Sequence, residues 1–433
     1  MNESAPGRIS VSEHRRAVRD LMAAVASSPH APGTEHVELS EALGRTLADD
    51  LRAGVNVPPV HNSQMDGFAY AASSLATVSN GETARLELGA LIAAGSAPTA
   101  LAPGTSRPIM TGAPLPDGAD AVIAVEDTDL GRFSPSAPLP GAVSFTVAPA
   151  HREAGRFVRA AGSDTRQGDT VARAGTELSP ALLGHIASVG IHSVPVKERY
   201  RVIVVSTGSE LADPARPGAG DASDAAIFDA NGPALTAALT DLGLDVCAQL
   251  RVPDDPRALV DTLTLALRET SAHLIVSTGG VSAGAVEPVR QAADLPGAPL
   301  RLAFQSVAMQ PGGPQGLGVF DGPAGEVGWI ALPGNPVSAL VSIEMFVRDA
   351  LGAPARPRLA LPIRTQTGEP EPSPVGLLQV RRARLTSAST ARLVGGPSSH
   401  LLGALALSDA LVLVPEHTDT LTDGDKHDVV ILR

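Results

Sequence analysis

Short apolar runs alternate with helical periodicity through the middle of the chain, from Tyr200 to Leu351. Three of these runs, Val202 to Val205, His273 to Val276 and Trp329 to Leu332, each stop at a loop rich in glycine or proline. Strands that alternate with helices predict βαβ crossovers and a parallel, doubly wound sheet. Loops that follow parallel strands share one edge of such a sheet, so these three loops are expected to converge on one crevice.

The helices of this region are marked by capping residues and prolines. Asp254-Asp255-Pro256 is expected to open a helix that runs to about Thr270, and Val337 is expected to begin another that ends near Leu351. Asp229 to Pro233 should cap a third helix, and Leu244 to Val252 reads as a further strand. These elements complete the expected α/β domain.

The regions on either side of this domain have a different pattern of apolar and polar residues. Val11 to Val25 carries apolar residues at helical spacing, with Ser12 as the expected cap, and Leu39 to Leu47 reads as a second short helix. Short β-type runs between glycine and proline turns predict an inserted β-rich domain and a C-terminal β-barrel. The predicted domains are an elongated α+β domain (8–55 with 151–198), the inserted domain (56–150), the α/β domain (199–351) and the barrel (352–433).

Composition supports a large globular protein. A chain of 433 residues is too long to fold around a single hydrophobic core, and its length predicts three or four domains. The net charge of -13 argues against a nucleic-acid surface, and the single cysteine, Cys247, excludes an intrachain disulfide framework. No run of about 18 apolar residues is present, which argues against a membrane span, and the first residues lack the features of a secretory signal. The cytoplasm is the expected compartment.

The loop Ser277 to Gly284 is the strongest candidate for an anion site. It lacks the G-x-G-x-x-G and Walker spacings, but it places the hydroxyls of Ser277, Thr278 and Ser282 beside glycine amides, which suits a phosphate or oxyanion. A glycine loop alone can also be only a turn that needs a positive φ. Three such loops at one sheet edge are stronger evidence than any one of them.

Carboxylates flank these loops at Glu210, Asp229 and Glu287. They would repel an anion unless a divalent cation lay between them, which is how Mg²⁺ joins carboxylates to phosphates. The alternative is that each is an acidic residue at a helix N-terminus, where it offsets the helix dipole. The sequence alone does not decide between cation binding and a helix-terminal role.

Five motifs, spread over nearly the whole chain, resemble in order those of the MoeA family of molybdopterin molybdenumtransferases, also seen in the E domain of gephyrin. The motifs are Ser63-Gln64-Met65-Asp66-Gly67-Phe68-Ala69, Thr111-Gly112-Ala113-Pro114-Leu115-Pro116, Ser206-Thr207-Gly208-Ser209-Glu210-Leu211, Thr278-Gly279-Gly280-Val281-Ser282 and Leu332-Pro333-Gly334-Asn335-Pro336-Val337-Ser338. The resemblance implies an elongated homodimer of four-domain subunits. It also implies the last step of molybdenum cofactor synthesis, the Mg²⁺-dependent insertion of molybdate into adenylylated molybdopterin (molybdopterin-AMP) with release of AMP. A molybdopterin adenylyltransferase is an implied partner.

The resemblance also assigns roles to residues. The functional residues of the family motifs fall on Asp66, Thr111, Asp164, Glu210 and Glu287. Of these, Glu210 and Glu287 are the expected Mg²⁺ ligands. The expected ligand-binding residues are Ser206, Thr207, Gly208, Thr278, Gly279, Gly280, Val281, Ser282, Pro311, Gly312, Pro333, Gly334, Asn335 and Pro336. Asp66 and Thr111 are expected to face the dithiolene end of the pterin, from the partner subunit of the dimer.

Two departures from the family pattern bear on activity. The aspartate of G-G-V-S-x-G-x-x-D is replaced by Glu287, which is one methylene longer. The usual K-P-G-K-P reads Gln310 to Pro314 here, so two cations near the substrate anions are lost, each worth roughly 1.5 to 3 kcal/mol. The sequence therefore supports two functions: an active transferase, or a catalytically impaired paralogue that binds the pterin as a scaffold. A nucleotide hydrolase is a third class, but no Walker lysine is present.

Overall fold

The chain forms two compact units in the computed structural model, Thr34–Lys197 and the combination of Met1–Gly33 with Glu198–Arg433. The structure describes residues 7–92, 95, 100–134, 138–212, 227–282, 284, 287–387 and 389–432, so Ala283 of the glycine-rich loop lies outside the described residues. Across these ranges, no helix is both long enough and apolar enough to cross a bilayer.

The first helix, α1 (Val11–Ala26), is capped by Ser10, two residues before the predicted cap. The backbone N–H of Glu13 donates to the Ser10 hydroxyl at 3.1 Å, and the Glu13 carboxylate accepts from the Ser10 N–H at 2.7 Å. This reciprocal pair is a capping box. The prediction of Ser12 as cap was wrong because the residue three positions before Glu13 completes the pair.

The unit Thr34–Lys197 contains eleven strands within its described residues and one α-helix, α2 (Pro180–Ser188). Strands β4 to β8 form one sheet in the order β7-β4-β6-β5-β8, and the other strands pair two by two. The strands are β1 (Thr34–Glu38), β2 (Leu51–Arg52), β3 (Asn62–Ser63), β4 (Gly67–Tyr70), β5 (Thr83–Leu88), β6 (Thr105–Ile109), β7 (Ala121–Ala124), β8 (Ala142–Thr146), β9 (Val158–Arg159), β10 (Thr170–Ala172) and β11 (Ser193–Lys197).

The helix predicted over Leu39 to Leu47 is wrong. Only a 3-10 turn forms there, Leu39–Glu41. Gly44 has a φ of +70°, and its N–H donates to the carbonyl of Leu178, while the N–H of Leu47 donates to the carbonyl of Thr176. Hydrogen bonds to a distant segment therefore replace the helical ones.

The larger unit is built on a six-stranded sheet in the order β15-β12-β16-β20-β19-β17. The strands of this region are β12 (Arg201–Thr207), β13 (Leu211–Ala212), β14 (Ile227–Phe228), β15 (Asp245–Val252), β16 (Leu274–Thr278), β17 (Leu300–Ser306), β18 (Met309–Gln310), β19 (Pro314–Gly322) and β20 (Gly325–Leu332). β13 and β14 form a short pair of their own, and β18 pairs with the strand Leu378–Ser387 of the following region. Its helices are α3 (Asn231–Asp241), α4 (Pro256–Thr270), α5 (Pro288–Ala293), α6 (Pro336–Ser342) and α7 (Arg348–Ala350), the last two joined by a π-helical segment, Ile343–Val347.

The predicted doubly wound sheet is confirmed, with one correction. β15, β12, β16 and β20 run parallel, while β19 and β17 are antiparallel additions that the sequence did not predict. Alternate side chains of the strands pack on opposite faces, for example Val204 against α1, α3 and α6, and Val205 against α4 and α5. Helices therefore cover both faces.

A closed five-stranded barrel follows, as predicted. Strands pair in the order β23-β24-β21-β27-β25, and β25 pairs again with β23, which closes the ring. Its core contains Ile363, Val412 and Val429. The elements of this region are β21 (Arg358–Arg364), β22 (Glu371–Pro372), β23 (Leu378–Ser387), β24 (Thr390–Leu393), α8 (Leu402–Ala406), β25 (Ala410–Val414), β26 (Thr420–Leu421) and β27 (Lys426–Ile431).

The stability of the folded protein is expected to fall at acidic pH because of a buried histidine in α1. His14 is 1% exposed and packs edge-on against Phe346, and burial lowers the pKa of its imidazole while a hydrogen bond with Gln305 raises it. The folded protein favours the neutral ring, so the stabilisation is present above pH ~6.5 and is lost as the pH falls below it. His14→Gln is expected to flatten the dependence of the unfolding free energy between pH 7.5 and 5.5, by up to about 1.4 kcal/mol per pH unit.

Urea titrations at several pH values measure this slope. Burial also lowers the pKa of His151, His273 and His427, so the variant should keep part of the dependence. An identical slope in the His14→Gln variant and the original chain would contradict the assignment to His14.

Candidate functional site

The loops after β12, β16 and β20 line one cavity of about 590 Å³. All three follow the carboxyl ends of parallel strands, as the strand pattern predicted. The cavity is lined by Thr207, Gly208, Glu210, Leu211, Ile227, Phe228, Ala230, Asn231, Asp254, Gly279, Gly280, Val281, Ser282, Glu287, Pro314, Pro333, Gly334, Pro336 and Ser338.

Glycine is required where the loops meet. Gly279 has a φ of +91°, and a Cβ on it would lie 2.5 Å from the Thr207 hydroxyl oxygen. A Cβ on Gly334 would lie 3.2 Å from the Gly279 Cα. The three loops therefore pack backbone against backbone, which only glycine permits.

Side-chain hydrogen bonds fix the loops to one another. The Thr278 hydroxyl donates to the Pro333 carbonyl at 2.9 Å, and the Thr207 hydroxyl donates to the Thr278 carbonyl at 3.2 Å. Ser277, which is fully buried, accepts from the Trp329 indole N–H at 2.8 Å. These hydroxyls hold the loops in place, and Thr278 does not line the cavity. Of the described residues of the glycine-rich loop, Gly279, Gly280, Val281 and Ser282 line it.

The two carboxylates predicted to bind metal both line the cavity but differ in setting. Glu287 is 9% exposed, and its two oxygens accept from the N–H groups of Ser282 at 2.9 Å and Gly284 at 3.1 Å. It therefore braces the glycine-rich loop. Glu210 is exposed and folds back over Gly208, where a Cβ would lie 2.5 Å from the Glu210 carboxylate.

Two further polar residues lie beside the cavity: Asn231 lines it, and Asp229 is the third flanking carboxylate, for which the sequence left cation binding and a helix-terminal role open. Asp229 is 3% exposed, and its Oδ1 accepts from the Ser206 hydroxyl and from the Gly232 N–H, both at 3.0 Å. Its Oδ2 and the Oδ1 of Asn231 are buried with no hydrogen-bond partner among the described residues. Buried acceptors are usually paired, so these two oxygens are candidates to accept from a ligand or to bind a cation.

Several predicted binding residues, in the loop after β20 and in the Gln310 to Pro314 turn, form hydrogen bonds within the protein. Asn335 caps α6, since its side chain accepts from the Val337 N–H, and the Gly334 carbonyl accepts from the Asn231 side chain at 2.7 Å. In the Gln310 to Pro314 turn, Gln310 accepts from the Gln379 amide at 2.9 Å. Pro314 lines the cavity, whereas Pro311 and Gly312, in the same turn, are buried and are not among the lining residues.

No lysine or arginine is found among the described residues that line the cavity. The Arg290 guanidinium lies 4.3 Å above the Phe304 ring, and its Nε donates to the Ser282 carbonyl at 3.1 Å. Arg301 forms ion pairs with Asp321 and Glu326. Both arginines therefore have other partners in place of the substrate anions.

The remaining predicted residues lie in the unit Thr34–Lys197. Thr111 donates to Asp66 Oδ1 twice, from its N–H at 2.7 Å and from its hydroxyl at 2.8 Å, and both residues are exposed. The buried Ser63 ties the two motifs together, since its N–H donates to the Ala113 carbonyl. Asp164 is exposed in a separate turn, where its N–H donates to a backbone carbonyl.

Comparisons with known proteins cover almost the whole chain. Family models match the MoeA N-terminal region (domain I and II) over residues 9–190, a probable molybdopterin binding domain over 203–353 and the MoeA C-terminal region (domain IV) over 364–432. The cavity lies within the second match.

Relatives and solved structures agree with these models. Molybdopterin molybdenumtransferase 2 of Mycobacterium tuberculosis is 36% identical over 96% of this chain and 97% of its own length. The molybdopterin molybdenumtransferase of Synechococcus elongatus is 32% identical over 94% and 96%. The molybdopterin biosynthesis MoeA protein of Pyrococcus horikoshii has the same fold, with a TM-score of 0.75 at 24% identity over 98% and 99% of the two chains. The chain therefore belongs to the MoeA family of molybdopterin molybdenumtransferases.

Proposed function

We propose that this chain inserts molybdate into adenylylated molybdopterin and releases AMP, in the last step of molybdenum cofactor biosynthesis. The cavity formed by three glycine loops carries the proposal, because glycine-rich loops at the carboxyl ends of parallel strands are a common setting for phosphate binding. The match to a molybdopterin binding domain over the same residues supports it. Catalysis would rest on positioning and electrostatics, without a covalent protein nucleophile.

Mg²⁺ fits the donor chemistry of the cavity. The candidate protein ligands are the carboxylates of Glu210 and Glu287, and oxygen donors are what Mg²⁺ prefers. The described residues contain no group of three or more His, Cys, Asp or Glu side chains arranged to hold a metal ion, so substrate phosphates would complete the coordination. Bound there, Mg²⁺ would offset the charge of the phosphoanhydride. Asp229 and Asn231 supply two unpaired oxygens nearby for a cation or a ligand donor.

An assay with molybdate, Mg²⁺ and adenylylated molybdopterin tests the proposal, with AMP release as the readout. Asp66→Asn is expected to lower AMP release about tenfold, since it removes one charge while its remaining oxygen can still accept both Thr111 bonds. We place Asp66 of one subunit of a homodimer at the cavity of its partner. Mixing Asp66→Asn with Glu210→Gln chains should therefore restore part of the activity.

Absence of AMP release by the original chain, with intact molybdopterin binding, would contradict the transferase. It would favour the second candidate, an impaired paralogue that binds the pterin as a scaffold. The absence of lysine and arginine among the described residues lining the cavity is the observation that favours this alternative.

A further inference from the structure

One aromatic side chain in this protein is left in solvent, and it lies at the cavity. The chain has eight phenylalanines, two tyrosines and one tryptophan. Phe228 is 60% exposed, and none of the other aromatic residues, all of which are described, is as accessible. Phe228 is also the one aromatic residue among the described residues that line the cavity.

The position of Phe228 is fixed by the residues on either side. β14 pairs in parallel with β13, with Phe228 opposite Ala212, and the Asp229 N–H donates to the Ala212 carbonyl at 3.1 Å. On the other side, the Ile227 N–H donates to the Glu210 carbonyl at 2.9 Å. These hydrogen bonds fix the backbone on both sides of Phe228, next to Asp229, which accepts from Ser206 and Gly232.

An exposed aromatic ring beside a polar, glycine-lined cavity suits one kind of ligand group. Flat fused heterocycles stack on aromatic faces whatever their edge pattern, because every such ring has a π-face. The other described residues that line the cavity offer no second aromatic ring on which such a group could stack. Neighbouring Ile227, 55% exposed, adds apolar surface at the same rim.

We propose that Phe228 is a positioning residue that stacks on a fused-ring heterocycle of the ligand, and so sets the orientation of the phosphates on the glycine loops. This inference rests on the proposed function. The shared chemistry is a planar heterocycle joined to a phosphate, which in adenylylated molybdopterin is either the adenine or the pterin.

Titrations of the full-length chain with three ligands test the proposal. AMP carries adenine and a phosphate, molybdopterin carries the pterin, and ribose 5-phosphate carries a phosphate without a ring. Phe228→Ala is expected to weaken AMP or molybdopterin about tenfold, the usual contribution of one stacked base, and to leave ribose 5-phosphate unchanged. The ligand that loses affinity identifies the stacked ring.

Conservative and matched variants separate stacking from general loss of apolar surface. Phe228→Trp should keep the affinity, and quenching of its added indole emission by the ring ligand would report the stack directly. Leu265→Ala removes an equally exposed apolar side chain, 59% exposed on α4 and away from the described cavity lining, and should change none of the three affinities.

Two outcomes would overturn the inference, and they are distinguishable. If the original chain binds molybdopterin or AMP and Phe228→Ala binds both equally well, the stacking role is wrong while the proposed function stands. If the original chain binds neither ring ligand, the proposed function fails and the inference fails with it.

Discussion

Replacing Gly280 by alanine is expected to lower molybdopterin affinity by at least about a hundredfold. Gly280 has a φ of +69°, and a Cβ there would lie 2.8 Å from the Val289 backbone nitrogen and 3.1 Å from Pro288 Cδ. Neither atom is the end of a flexible side chain, so the loop must move away from α5. Such a shift also breaks the bracing of the loop by Glu287, whose carboxylate accepts from the Ser282 N–H. Gly280, Val281 and Ser282, which line the cavity, would then lose their positions.

A matched variant separates contact from backbone strain. Gly297 has nearly the same φ, +72°, but no atom lies within 4 Å of the site of its Cβ. Both alanine variants carry a left-handed strain of about 1 to 2 kcal/mol, and only Gly280→Ala adds a steric clash. Pterin fluorescence titrations and thermal unfolding of both variants measure the difference. Equal losses of affinity in the two would show that the clash does not disturb the site.

The crevice could be predicted because its signals are local. The runs Val202 to Val205, Leu274 to Val276 and Trp329 to Leu332 are apolar, as expected of strands covered on both faces, and a glycine or proline follows each within three residues. Since parallel strands place the following loops at one edge, three local observations were sufficient to predict a shared site.

The antiparallel strand β19 could not be predicted in the same way. Its sequence begins Pro314-Gln315-Gly316-Leu317-Gly318, which is typical of a loop. In the structure these glycines allow a close approach of neighbouring strands: a Cβ on Gly318 would lie 1.8 Å from the Arg301 carbonyl oxygen. Glycines that are typical of a loop are thus required here by strand pairing. The requirement comes from the neighbouring strand, which the local sequence does not identify.

Long-range pairing also hid part of the site. The unpaired oxygens of Asp229 and Asn231 depend on which groups the fold brings near them, and no spacing in the sequence reports that. The environment of Gln310 depends on Gln379, which is 69 positions away. Motifs therefore indicated which residues matter, whereas tertiary contacts determine which of their atoms are free to act.

The double variant Gln310→Lys with Gly313→Lys is expected to raise AMP release about a hundredfold. It would return two cations to the turn whose last residue, Pro314, lines the cavity, and two charge-assisted contacts to substrate anions account for this factor. The backbone has room for a side chain at position 313. A Cβ on Gly313 would meet the Val307 carbonyl at 3.4 Å, an ordinary contact. A lysine at position 310 could donate to Gln379 Oε1, which is buried without a partner among the described residues.

The expected gain depends on where the lysines lie and not only on the added positive charge. The control variant Gly396→Lys, which adds a lysine away from the described cavity lining, tests this. No atom lies within 4 Å of the site of a Cβ on Gly396, and it does not line the described cavity, so this single lysine should change neither AMP release nor molybdopterin affinity. The two single variants apportion the gain between positions 310 and 313. If the original chain already releases AMP as fast as the double variant, the missing lysines do not limit the reaction and the impaired-paralogue hypothesis is wrong. A gain confined to the double variant would mean that both cations must contact the substrate together, because one alone cannot offset the charge of the phosphoanhydride and of molybdate.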